Sequence, residues 1–122
     1  PYGARTFPNP NRARICMTGE DPRQALPFAA AFTAGYAAAV AGAEVTAWVP
    51  AAFTGPRGIV SEKGDLWPIG KVVAHLAQMA GKPVEAAGPG WLRLRNGSGI
   101  EAMLTAPYSV ALTPPPSRTQ PK

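Results

Sequence analysis

The sequence is poor in the side chains that carry most covalent and metal chemistry. It has one cysteine, Cys16, and one histidine, His75. A lone cysteine excludes an intrachain disulfide, a Cys-x-x-Cys redox pair and a cysteine zinc cluster. His75 has no carboxylate three or four residues away on the helix that its surroundings predict, so no ligand set forms around it. No metal and no cofactor are expected. Charge is sparse as well: 16% of residues are charged, against about 25% in an average soluble domain. Residues 25–42 carry no charge at all and reach the lower length for a membrane span. Ala, Gly, Thr and Pro dominate that stretch, and such residues partition weakly into lipid. No span is expected, and the chain reads as cytoplasmic.

The charge that is present lies mostly at the ends. Arg5, Arg12 and Arg14 face no acid within residues 1–14, and Arg118 and Lys122 face none within 113–122. The intervening chain balances its acids and bases, so the net charge of +5 belongs to the two arms. A basic arm suits an acidic partner, a membrane surface or nucleic acid. Neither a Lys/Arg run nor an aromatic–basic alternation is present, which argues against nucleic acid. Thirteen glycines and fifteen prolines punctuate the chain into short elements.

Residues 1–12 read as an extended, Pro-rich basic arm, 13–112 as one α/β domain and 113–122 as a Pro-rich basic tail. Within the domain, the apolar run 13–17 predicts a buried strand. Asp21 and Pro22 supply a cap and a first helical residue, and a long helix is expected over 23–41, with Pro27 as its flaw. Residues 44–49, β-branched and aromatic, predict a strand. The connection 50–66 is long enough to be functional or oligomer-forming. A second helix is expected over 67–80, with Asp65 as its cap. Strands are expected at 83–87, 91–95 and 108–112, and the Ser98-x-x-Glu101 capping box predicts a short helix to Leu104. Strands alternating with helices imply a single three-layer domain with a mainly parallel sheet of four or five strands flanked by helices.

In such a fold ligands gather at the carboxyl ends of strands. That places a ligand or partner site at Thr18 and Gly19 after the first strand and at Gly88, Pro89, Gly90 and Trp91 after a later one. Trp91 is either a pocket wall or a core anchor. Phe28, Phe32 and Tyr36 form an aromatic stripe at helical spacing, beside the small-residue row that includes Gly35. This pattern suits oligomer packing better than a cofactor. Cys16, inside the first strand, is the weak catalytic candidate.

The turn Gly19–Pro22, the alanine-rich helix that stops at Gly42, the Val-Thr-Ala-Trp-Val segment 45–49 and the Gly-Lys-Pro-Val entry 81–84 together resemble the DsrE-like family over residues 13–112. The resemblance implies an α/β protein assembling as a trimer or hexamer. Several members of that family handle sulfur through a cysteine after the third core strand. Gly88, Pro89, Gly90 and Trp91 stand there instead. The expected function is thus a non-catalytic small subunit or binding module in a homo-oligomer or larger assembly. Two alternatives are a sulfur-relay protein using Cys16 and a nucleic-acid-binding protein using the basic arms.

Overall fold

Prolines decide where the helices begin. The structure, a computed structural model, describes residues 10–12 and 21–116. The Asp21 carboxylate accepts the Arg23 backbone N–H at 2.9 Å and caps a one-turn 3₁₀ helix, Pro22–Ala25. The expected single helix over 23–41 is therefore two pieces. Leu26 adopts extended backbone, φ −106° and ψ 164°, because the ring of a following proline disfavours helical geometry in the residue before it. Helix α1 then starts afresh at Pro27 and runs Pro27–Val40. The same device starts α2, Pro68–Met79, after an extended Trp67. Asp65, the expected cap, is not at the N-cap position, and Trp67 makes no side-chain cap bond.

Four strands follow: β1 Val84–Gly88, β2 Trp91–Leu94, β3 Gly99–Met103 and β4 Ser109–Thr113. They pair antiparallel in the order β1-β2-β3-β4, which overturns the expected mainly parallel sheet. The reason is loop length. Parallel neighbours need a crossover of about a dozen residues or more, whereas Pro89 and Gly90 alone join β1 to β2. Gly90 sits at φ 79°, the conformation a Pro-Gly turn requires at its second position.

The expected helix from Ser98 is strand β3 instead. Asn96 captures the capping residue: its side-chain oxygen accepts both the Ser98 N–H at 2.8 Å and the Ser98 hydroxyl at 2.5 Å. Asn96-Gly97, with Gly97 at φ 89°, is a hairpin turn. It returns the chain so that Leu92 meets Ile100. Residues 44–49 are also corrected. Among the described residues they form no strand and join no sheet, and the chain bends at Thr46.

The sheet presents Leu92, Leu94 and Ile100 inward, against Ala30, Ala34 and Ala38 of α1 and Val72 and Met79 of α2. Trp91, Arg93 and Glu101 alternate to the other face. The result is two layers, α on β, in place of three. Alanines on α1 let the helix approach the sheet closely, and Leu94, only 2% exposed, fills the centre. His75 is buried in this interface and bonds through Nε2 to the Gly99 carbonyl at 2.8 Å. Among the described residues, no helix is long and apolar enough to cross a membrane.

Candidate functional site

The surface feature with most built structure lies where α1, residues 44–50 and the loop 50–67 meet. Phe28, Phe32 and Tyr36 follow one another up α1 at one-turn intervals, their ring centroids 6.2 and 6.4 Å apart. Trp48 stacks on Tyr36 at 5.1 Å with the ring planes 24° apart. The edge of Tyr108 closes on Phe28 at 5.1 Å. Phe28, Phe32, Tyr36 and Trp48 wall a cleft of about 380 Å³ that reaches Asp21, Arg23, Gln24 and Pro50. Arg23 lies over the Phe28 ring, 4.6 Å from its centroid, and bonds the Asp21 carboxylate at 2.8 Å. Those hydrogen bonds hold the Asp21 carboxyl below its ordinary range and the Arg23 guanidinium above its own. Asp21 is therefore a fixed anion at neutral pH and a poor proton acceptor.

On the other side of residues 45–50 a second groove, about 460 Å³, runs along Val73, Leu76 and Ala77 of α2. Residues 45–50 thus lie between the two helices, with a hollow on each flank. Val45 is 50% exposed and Val49 is 84% exposed. Among the described residues, residues 46–51 make no backbone–backbone hydrogen bond.

The loop that follows is tightly organised. Ala52 N–H donates to the Arg57 carbonyl, Gly58 N–H to Gly55 and Ile59 N–H to Phe53, all at 2.9–3.1 Å. A side chain at Gly58 would start 2.7 Å from the Thr54 carbonyl carbon, so only glycine fits this approach. Gln24 ties the loop to the 3₁₀ turn by donating to the Gly58 carbonyl at 3.0 Å. A Val60–Leu66 bridge closes the remainder. Phe53, Thr54 and Arg57 stand exposed on this rigid turn.

The residues singled out from sequence fall in different places. Thr18, Gly19 and Cys16 lie outside the described residues, as do most of the N-terminal arm and residues 117–122. Gly88, Pro89, Gly90 and Trp91 come together as the β1–β2 turn, where the Trp91 indole covers Gly88 closely enough to bar a side chain there. Phe28 is half-buried, Phe32 and Tyr36 are exposed, and Gly35 packs under Leu104. Of these groups only Phe28, Phe32 and Tyr36 join the cleft. Trp48 and the Arg23–Asp21 pair went unnoticed in the sequence as cleft residues. The sequence places Trp48 in an expected strand, and nothing in its spacing points to Tyr36. Among the described residues, no cluster of His, Cys, Asp and Glu is placed to hold a metal.

Comparison with known proteins changes the family assignment. A family model described as D-apionate lactonase, TIM barrel domain, matches residues 1–81. The D-apionate lactonase of Brucella anthropi is 36% identical over 88 residues, covering 67% of this chain and 14% of the relative. The chain thus spans about one-seventh of that relative's length. No solved structure matches. The DsrE-like resemblance rested on an element pattern, and these matches overturn it, together with the non-catalytic and sulfur-relay readings that depended on it. With two-thirds of its residues inside the match, the chain belongs to the D-apionate lactonase TIM-barrel-domain family.

Proposed function

We propose that this chain serves in the hydrolysis of a sugar-acid lactone such as that of D-apionate, as one segment of a barrel enzyme. The match over residues 1–81 carries this reading. In lactone hydrolysis water adds to the ester carbonyl, the ring C–O bond breaks, and a carboxylate and a hydroxyl are released. Negative charge grows on the carbonyl oxygen, and preorganised donors lower the barrier.

In (β/α) barrels the reacting groups stand on loops that follow the carboxyl ends of strands. On this reading residues 44–49 correspond to a barrel strand, and the loop 50–67 ahead of α2 to the loop that follows it. Its Gly58 turn holds the exposed Thr54 hydroxyl on a rigid frame, able to bond a polyol or a carbonyl oxygen. His75 is committed to the Gly99 carbonyl inside the core, and Asp21 to Arg23. The segment's part is therefore substrate positioning, with the water-activating base on another part of the barrel.

The test replaces the matching stretch of the Brucella anthropi lactonase with this chain's residues and follows acid release from D-apionate lactone. The graft is expected to hydrolyse the lactone, and Thr54→Ala in it to lower kcat/KM by about 3- to 10-fold, the loss of one neutral hydrogen bond, with the circular dichroism unchanged. Unchanged kcat/KM in the Thr54→Ala graft would refute the assignment of this loop.

A further inference from the structure

We propose that the outward face of the antiparallel sheet, at Trp91, Arg93, Glu101 and Thr113, binds a neutral sugar ring by stacking and by hydrogen bonds to its hydroxyls. The site lies beyond the matched residues 1–81 and does not rest on lactone hydrolysis.

The strand register builds it. Trp91 stands opposite Glu101, and Glu101 opposite Ala111. In the next row Arg93 stands opposite Gly99, and Gly99 opposite Thr113. Side chains two apart on a strand share a face, so these six positions form one array. Gly99 has no side chain and Ala111 only a methyl, and a cleft of about 360 Å³ opens among them. A Cβ on Gly99 would stand 2.9 Å from the Leu92 carbonyl oxygen, so close strand approach keeps that position low. The Trp91 indole leans over Gly88, stays half-buried and still borders the cleft.

The charges then select the ligand. The Glu101 side chain has no ion pair and no hydrogen bond among the described residues, so an anion would be repelled. Arg93 lies 5.8 Å from the centroid of the Trp91 ring, so a cation seeking that ring would meet a like charge. A neutral ligand remains. Arg93 gives its Nε–H to Glu85 at 2.6 Å, which leaves the Nη groups of the fork as donors. The Glu101 carboxylate accepts, and the Thr113 hydroxyl does either. The indole offers an apolar surface with a polar rim around it. A sugar matches all four, with C–H groups on its face and hydroxyls at its edge. A protein partner fits less well, because charged residues are depleted at the centre of protein interfaces, whereas Glu85, Arg93 and Glu101 are all exposed here.

The test is proton–nitrogen NMR on the full 122-residue chain. The Trp91 indole signal is identified by its loss in Trp91→Phe. The probes are methyl β-D-glucopyranoside and methyl β-D-xylopyranoside, with glucuronate and tetramethylammonium as charged comparators. At least one glycoside is expected to shift the Trp91 indole and the Gly99 and Thr113 amides with a Kd of about 1 mM, typical of a ligand this small. The charged comparators are expected to bind at least about 10-fold more weakly. Glu101→Gln, at an exposed and unpaired side chain, is expected to keep the fold and weaken the glycoside about 10-fold. Trp91→Ala is expected to abolish the amide shifts, and Phe32→Ser, in the α1 cleft, to leave them unchanged. No shift with either glycoside up to about 50 mM, or full affinity in Glu101→Gln, would overturn the proposal. So would tighter binding of tetramethylammonium, or glycoside shifts that Phe32→Ser removes. Glycoside binding that appears only after deletion of residues 117–122 would assign the cleft to the chain's own tail and likewise overturn it.

Discussion

Two helical glycines look interchangeable in the sequence and are predicted to respond oppositely to alanine. Gly35 lies in the middle of α1, where a new Cβ would meet Leu104 Cδ2 at 3.0 Å. Leu104 is 50% exposed, so its side chain can turn aside at little cost. The helix-propensity gain of alanine over glycine, up to ~1 kcal/mol, then dominates. Gly70 lies in the first turn of α2. There a Cβ would stand 2.7 Å from the Ile59 carbonyl oxygen and 2.5 Å from Leu66 Cδ1. The carbonyl belongs to backbone that is itself held by the Trp67 N–H at 2.9 Å, so relief requires moving the loop. Overpacking of this kind costs ~1–3 kcal/mol, and the first helical turn returns little in propensity. Gly70→Ala should therefore lose about 1–2 kcal/mol net, or roughly 4–15 °C in melting temperature for a domain of this size. Gly35→Ala should hold or gain. Gly35→Leu should lose stability, because a longer side chain cannot be accommodated by one leucine turning aside. The assay is thermal and urea unfolding of the full chain followed by circular dichroism. A Gly70→Ala protein as stable as the parent would refute the argument that the loop carbonyl is immovable. A Gly35→Ala protein losing more than about 1 kcal/mol would refute the argument that Leu104 yields.

His75→Phe keeps the ring volume but leaves the buried Gly99 carbonyl without its donor, and should cost about 1–3 kcal/mol in urea unfolding; no loss would mean that water replaces the imidazole. The Asp21 carboxyl, held low by Arg23, should move up toward its ordinary value of 3.8 in Arg23→Gln, read by carbon NMR titration. The sign follows from the depressed value: the pairing supports the folded state above the ordinary carboxyl range and fades as pH falls through the lowered folded value. Both groups are exposed, so the NMR shift is the readout and the stability change should be slight. An unshifted Asp21 in Arg23→Gln would show that the ion pair does not persist in solution.

Much of the local structure was legible because single residues dictate it. Pro22, Pro27 and Pro68 mark helix starts, and the apolar spacing of Val72, Val73 and Leu76 marks α2. The strands at 84–88, 91–94 and 109–113 were anticipated within a residue or two. Their direction was misjudged. The alternation of helices and strands early in the chain suggested crossovers, but Pro89-Gly90 and Asn96-Gly97 are hairpin turns too short for any crossover, and they set the pairing. Ser98 and Glu101 satisfy a capping-box pattern, yet Asn96 sits closer to Ser98 and takes its hydroxyl. A local pattern loses when a nearer partner competes for the same group. The cleft was only half legible. Helical spacing groups Phe28, Phe32 and Tyr36, but no sequence rule brings Trp48 onto Tyr36 across the α1 turn. The length of the connection 50–66 marks it as functional or oligomer-forming. Its rigidity comes from Gly58, and only the packed backbone reveals that.

Helix α1 also bears on what this half of the molecule is built to meet. All fourteen of its residues are uncharged, and they are apolar around most of the circumference. Ala30, Ala34 and Ala38 face the antiparallel sheet, while Phe32 and Tyr36 are exposed and Trp48 stacks on Tyr36. A helix apolar on one side only is a surface helix, and one apolar all round is a helix covered on two sides. Helix α2 makes the contrast: Lys71, Ala74 and Gln78 are exposed while Val72, His75 and Met79 are buried. The two helices share one core, so the difference cannot come from the sheet beneath them. It comes from the far side of α1, where Phe32, Tyr36 and Trp48 stack into one continuous aromatic face. The uncharged composition of α1 follows from carrying apolar contacts on both of its sides.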